Sequence, residues 1–144
     1  MKQTLVAALL MGCVIAFAGC NSNPPQEVPD AELVGTLWTL ESIEVPGEPD
    51  ILPGVNKVYS IQFLDDYRLK GGDDCNSIVG IYTLSGVSDI RLDSLGTTLV
   101  GCAPPFLGHP YFSALHAVDS YDISGNTLRL HFDNGSALKH GKME

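Results

Sequence analysis

Beyond residue 32 this chain predicts an α+β domain that is mainly β, on three observations. From Leu37 onward, short segments alternate apolar and polar residues at the strand period, turn residues separate them, and one late segment carries helical spacing instead. With 144 residues, 44% of them hydrophobic and 17% charged, there is material for one core and no room for a second.

The first strand is expected at "LWTLESI", with Trp38, Leu40 and Ser42 on one side and Leu37, Thr39 and Glu41 on the other. "VYSIQF" puts Tyr59, Ile61 and Phe63 on one face. After the Asp65-Asp66 turn, "YRLK" returns with Tyr67 and Leu69 inward, which makes a hairpin. Gly71 and Gly72 relax the backbone before "SIVGIYTL", a strand apolar on both faces with Gly80 placed for a bulge. Such a strand is expected in the middle of a sheet. "DIRLDSL" and "TTLVGC" continue as strand-like pieces until Pro104-Pro105 breaks the pattern.

"HPYFSALHAVDSY" is the helical segment: Pro110 suits a first turn, and Tyr111, Leu115 and Val118 share a stripe beside Phe112. Two further strands, "TLRLHF" and "SALKHGKM", are joined by the Asn134-Gly135 turn. Trp38 belongs with the core by its apolar neighbours. Gly71-Gly72 has no phosphate-loop context.

The chain begins "MKQTLVAALLMGCVIAFAGC", one lysine followed by an uncharged apolar run from Leu5 to Gly19. That run is shorter than the ~20 residues a spanning helix needs, and residues 1–19 read as a signal peptide. "FAGC" resembles the bacterial lipobox, with Phe17 where leucine is usual. The resemblance implies that Cys20 is acylated and becomes the N-terminus, while Cys13 leaves with the signal. Several acyl chains anchor firmly where one would not, so the expected membrane partner is reached through this lipid. Asn21, in place of the aspartate of inner-membrane retention, favours the outer membrane by the same resemblance, with the domain facing the periplasm. Residues 20–32 form the lipidated end and a flexible acidic spacer of ~40 Å reach. The domain itself is expected over residues 33–144.

Charge excludes one class of partner. The formal net charge is -9, only Lys2 of the 8 basic residues precedes Cys20, and all 17 acids follow it. Phosphate backbones repel such a surface, and no nucleic-acid role is expected.

Three motifs then resemble one family. "LVGTLWTLESI" is similar to the L-x-G-T-x-W-x-L-x-S-I opening of the META domain, the family of HslJ-type heat-shock proteins. "DDCNSIVGIYTL" is similar to its G-C-N-x-x-x-G-x-Y signature, and "LGTTLVGC" to its T-T-x-M-A-C segment. Asp74 stands where the family has glycine, and Val100-Gly101 where it has Met-Ala. The resemblance implies a strongly curved antiparallel sheet or open small barrel closed by one helix, links to heat shock and envelope stress, and no catalytic activity.

Within those motifs lie Cys75 and Cys102, the thiols left in the exported domain once Cys20 is acylated. The compartment is oxidising, and a disulfide between them is the expected state. Two other readings weigh less. A catalytic set of Cys75, a histidine and Asn76 suffers from the adjacency of Cys75 and Asn76, which on a strand would point to opposite faces. A metal site of Cys75, Cys102 and His109 lacks any recognised ligand spacing. Asp73 and Asp74 lack the ligand spacing of a calcium loop and are expected in a solvated turn. His109, His116, His131 and His140 are scattered and expected at the surface.

No catalytic residue, metal or cofactor is expected. The function so read is a non-enzymatic envelope lipoprotein that binds an unidentified envelope protein or cell-wall component. The alternative is a carrier of a small apolar ligand or lipid within the curved sheet, and a thiol- or metal-dependent enzyme stands behind both.

Overall fold

Strand β1, Leu37–Glu44, is where the sheet closes on itself: it pairs antiparallel with β2, Ser60–Phe63, on one side and with β8, Ser136–Lys142, on the other. The computed structural model describes residues 31–143. The expected signal peptide, Cys20 and the expected spacer up to residue 30 lie outside the described residues. Between β2 and β8 run β3 (Arg68–Gly72), β4 (Ser77–Ser85), β5 (Asp89–Thr97), helix α1 (Gly108–Ala117), β6 (Val118–Ser124) and β7 (Thr127–Phe132). Every strand pairs with its neighbour in sequence, and the eight form a closed antiparallel barrel. The expected curved sheet therefore goes beyond an open barrel to full closure, which leaves few sheet edges to protect.

Burial follows the alternation that defines each strand. Trp38 and Leu40 point inward from β1; a register shift between Leu40 and Ser42 then brings Ser42 and Ile43 inward together. Ile61 and Phe63, then Leu69, line the interior from the hairpin that "VYSIQF" and "YRLK" predict. Side chains fill the inside: Phe63 meets Tyr82 edge-on at 5.1 Å, and Tyr59 meets Tyr111 at 5.5 Å. A strand barrel of this size has an interior that side chains can fill.

Three expectations need correction. β4 is not a central strand covered on both faces, because each strand of a closed barrel has two neighbours and an outer face in water. Ile78 and Tyr82 are buried, while Val79 is 57% exposed and Ile81 43% exposed. The register does shift between Val79 and Ile81, where Gly80 leaves no space for a Cβ against Leu95 and the Asp93 carbonyl. Second, "TTLVGC" is not a strand: β5 ends at Thr97, and residues 98–107 form a loop. Third, the helix stops at Ala117, and Val118 begins β6. Val118 has φ -59° and ψ 131°, and its strand pairs with β7 from Val118↔Phe132 to Ser124↔Thr127. The β-branched and short polar residues of "VDSYDIS" gain more from that ladder than from another helical turn.

The two ends of the barrel differ. At one pole Leu33 is buried with its carbonyl accepting the Trp38 indole N–H, Val34 bridges Phe63, and the Met143 N–H reaches the Leu37 carbonyl at 3.0 Å. The β3–β4 turn, the 98–107 loop and the start of α1 occupy the other pole. The helix lies across that mouth, with Tyr111, Ala114 and Leu115 buried beneath it.

Candidate functional site at the disulfide pole

The turn entering β4 is set by its first residue. Asp73 Oδ1 accepts the N–H of Cys75 at 3.1 Å and of Asn76 at 2.8 Å, and the Asp73 N–H donates to the Asn76 carbonyl. A short acidic side chain bonding its own backbone two and three residues on is the local reason that "DDCN" turns here.

Asn76, 8% exposed, then fixes the loop opposite. Its Oδ1 accepts the Val100 N–H at 2.7 Å and the Thr98 hydroxyl at 3.0 Å, while its Nδ2 donates to the Val100 carbonyl at 3.2 Å. The amide thus does for Val100 what a neighbouring strand would do, and "TTLVGC" needs no ladder there. Cys75 and Cys102, 27 residues apart, form a disulfide with Cα atoms 6.1 Å apart, within the span such a bond allows.

The same turn corrects a sequence-based objection. Cys75 and Asn76 are not on a strand, and Asn76 Nδ2 lies 3.4 Å from Cys75 Sγ and 3.3 Å from Cys102 Sγ. Adjacent residues do converge, but on a disulfide rather than on a free thiol. Asp73 also brings a carboxylate to within 4.8 Å of both sulfurs. Joining the sulfurs removes the thiolates that a zinc-type site would use.

Asp74 is not solvated as expected: the 45–59 loop lays Lys57 over it, and the two form an ion pair that is mostly covered. Beside it the Tyr59 hydroxyl accepts the Leu107 N–H at 2.8 Å. Burial raises the Tyr59 pKa; the Leu107 bond works against that, and the charges of Asp74 and Asp73 add to it.

Helix α1 has no side-chain cap of its own and no acid in its first turn. Asp73 supplies the charge from outside. A Cβ on Gly108 would stand 2.6 Å from Asp73 Oδ2 and would overlap the Phe106 ring, so only glycine lets carboxylate and ring come this close to the helix start. Negative charge at that end is favourable.

Between the loop and the helix opens a cleft of about 430 Å³. Leu99, Val100 and Phe106 of the loop and Phe112 of the helix line it, with Asp73 and Asn76 from the β3–β4 turn and His109 from the helix start. Leu99 is 93% exposed, an apolar side chain held out by a braced loop.

The histidines divide. His109 is exposed at the cleft, His116 stacks edge-on with Phe112 at 4.8 Å, and His131 contacts Asp122 at 2.6 Å. His140 is not at the surface: it is fully buried, because it follows Leu138 at strand spacing on the inner face of β8. Its Nδ1 lies 3.1 Å from the Leu138 carbonyl and its Nε2 3.2 Å from the Tyr111 hydroxyl.

Two features of the candidate site are not legible in the sequence motifs, the bracing role of Asn76 and the cleft carboxylate of Asp73. The first had no signal, since its partners lie 22 and 24 residues away. The second had one: Asp three residues before Asn in a glycine-led turn is an Asx-turn pattern.

The sequence matches the META domain family over residues 31–143, and the chain belongs to that family. No curated protein matches it. Among solved structures, an NMR structure of a protein from Burkholderia xenovorans is similar with a TM-score of 0.65 and 21% identity, covering 78% of this chain and 84% of that one. A crystal structure of a DUF4847-family protein from Bacteroides vulgatus is similar with a TM-score of 0.59 and 12% identity, covering 78% and 96%. Identities this low concern the fold alone.

Proposed function

We propose that this META domain is a non-enzymatic binding module of the cell envelope, tethered through an acylated Cys20, with its binding surface at the disulfide pole. The observation that carries the reading is polar placement: Leu33 and Met143 sit at one end of the barrel and the cleft at the other. A tether joined ahead of residue 31 attaches at the first end, which leaves the cleft at the end far from the attachment point. An envelope protein or cell-wall component can reach it there. Exposed Leu99 and Val100, on a loop braced by Asn76 and the disulfide, add an apolar prominence of the kind that recognition uses.

Thiol-based nucleophilic catalysis requires a free nucleophile with a base and an orienting group within bonding distance. At this pole both sulfurs are bonded to each other and the Asn76 amide is engaged within the loop. That favours recognition over chemistry. Placement at the outer membrane and a stress-related role belong to the same proposal.

Replacing Leu99 and Val100 together by aspartate tests it. The variant is expected to keep its melting temperature and membrane attachment yet behave like a deletion under envelope stress. A variant indistinguishable from wild type in that assay contradicts the reading.

A further inference from the structure

We infer that the cleft selects an organic cation on an apolar stem, an ammonium or guanidinium held by Asp73 with its hydrocarbon between Leu99, Phe106 and Phe112. The inference rests on the reading of this pole as the binding surface and adds the chemistry of what is bound.

Charge decides the class. Asp73 is the acid in the lining, and no lysine or arginine lines the cleft among the described residues. Lys57, the nearby cation, is already paired with Asp74. Asp73 Oδ1 is committed to the turn, whereas Oδ2 faces the helix start and the cleft and makes no ion pair with a described residue. Its charge reaches inward, contributing after burial to the raised pKa of Tyr111. The helix N-terminus would otherwise invite an anion, but Asp73 already occupies that position, so a second negative group would be repelled.

Shape decides the rest. A cleft of about 430 Å³ lies within the range of small-ligand sites and accommodates a group the size of an arylalkyl amine. Phe106 and Phe112 put two aromatic rings in the same space, and a cation gains from such rings once water is displaced. A carboxylate with apolar and aromatic neighbours prefers a charged donor carrying its own hydrophobic body over either feature alone.

The test uses the full mature chain and follows the amides of Gly101 and Gly108 by NMR during titration. The probes are 2-phenylethylammonium, its uncharged isostere 2-phenylethanol, 3-phenylpropionate, and the blocked peptide Leu-Lys-Leu. The ammonium is expected to bind at least tenfold more tightly than the alcohol, with the carboxylate weakest. Asp73→Asn retains an Oδ1 that can hold the turn; it is expected to stay folded, its melting temperature lower by only the few degrees that loss of charge at the helix start costs, and to abolish the tenfold preference. A peptide more than tenfold tighter than the free ammonium assigns the cation to a partner protein's side chain; a free ammonium at least as tight assigns it to a small amine. Equal binding of ammonium and alcohol, an unchanged preference in Asp73→Asn, or no binding of any probe at about 10 mM, the weak end of fragment affinities, overturns the inference. Since the Leu99 and Val100 variant reads the cell phenotype, failure here and failure of the binding-surface reading remain distinguishable.

Discussion

Inside the barrel the Tyr111 hydroxyl donates to His140 Nε2 across 3.2 Å, joining the helix to the last strand where both side chains are buried. The direction follows from chemistry: the Leu138 carbonyl can only accept, so Nδ1 carries the proton and Nε2 receives the hydroxyl. Nε2 accepts because the ring is uncharged, and burial is what keeps it so. Burial pushes its pKa down to about 4, against the raising effect of the Leu138 bond.

A pH dependence follows from that pair. The unfolded chain takes up the histidine proton at the ordinary 6.5, the barrel only near about 4, so the unfolded state holds more protons between those values. Stability is complete above 6.5 and is lost as pH falls toward 4. The loss is of the order of 3 kcal/mol. Denaturant melts from about pH 7 to 4.5 are expected to show it in wild type and to show a flatter profile in Tyr111→Phe/His140→Leu. Equal slopes in the two proteins would contradict the assignment.

Removing the disulfide should act on stability. Closure of the 27-residue span is worth about 3.5 kcal/mol on the chain-entropy model. Cys75→Ala/Cys102→Ala is expected to melt roughly 15 °C lower while remaining folded at low temperature. In freshly isolated wild type, alkylation without reductant is expected to label neither cysteine. Full labelling of both would show free thiols and contradict the bond.

Asn76→Asp tests the loop brace. It keeps an acceptor for the Val100 N–H but sets a carboxylate oxygen against the Val100 carbonyl where Nδ2 now donates. A destabilisation of about 2–3 kcal/mol is expected, with faster proteolysis in residues 98–107. Wild-type resistance to protease would show that the loop does not depend on Asn76.

Gly108→Ala probes the approach of Asp73 and Phe106 to the helix. The added methyl overlaps the Phe106 ring and crowds Asp73 Oδ2. Although alanine favours helix in isolation, a loss of about 1–3 kcal/mol is expected from the forced shift. A stabilised variant would contradict the packing.

Much of the fold was legible because alternation is a local signal. Trp38, Leu40, Ile61, Phe63 and Leu69 are buried where the period of two puts them, and the hairpin after Asp65-Asp66 forms as its residues demand. What was not legible depended on partners distant in sequence. Val118 reads as helix by its spacing from Leu115 and becomes strand because Phe132 pairs with it. "TTLVGC" reads as strand and becomes loop because a side-chain amide takes over the backbone bonds of Val100. His140 reads as a scattered polar residue, and its burial depends on Tyr111 arriving from the helix to satisfy it. The cysteines were legible as a pair through their motifs; the cleft beside them was not, since its walls come from the 98–107 loop and the helix start, which meet only in three dimensions.

Site-specific photo-crosslinking in intact cells tests the central claim most directly, with a benzophenone amino acid placed at Leu99 in one strain and at Val87 in another. Both positions are almost fully exposed, at 93% and 98%, but Val87 lies in the β4–β5 turn at the opposite end of the barrel. A binding surface at the disulfide pole predicts a discrete crosslinked product from Leu99 that is absent from Val87 and is lost when the same chain also carries Val100→Asp. Crosslinking from Val87 alone, or equally from both positions, would contradict it.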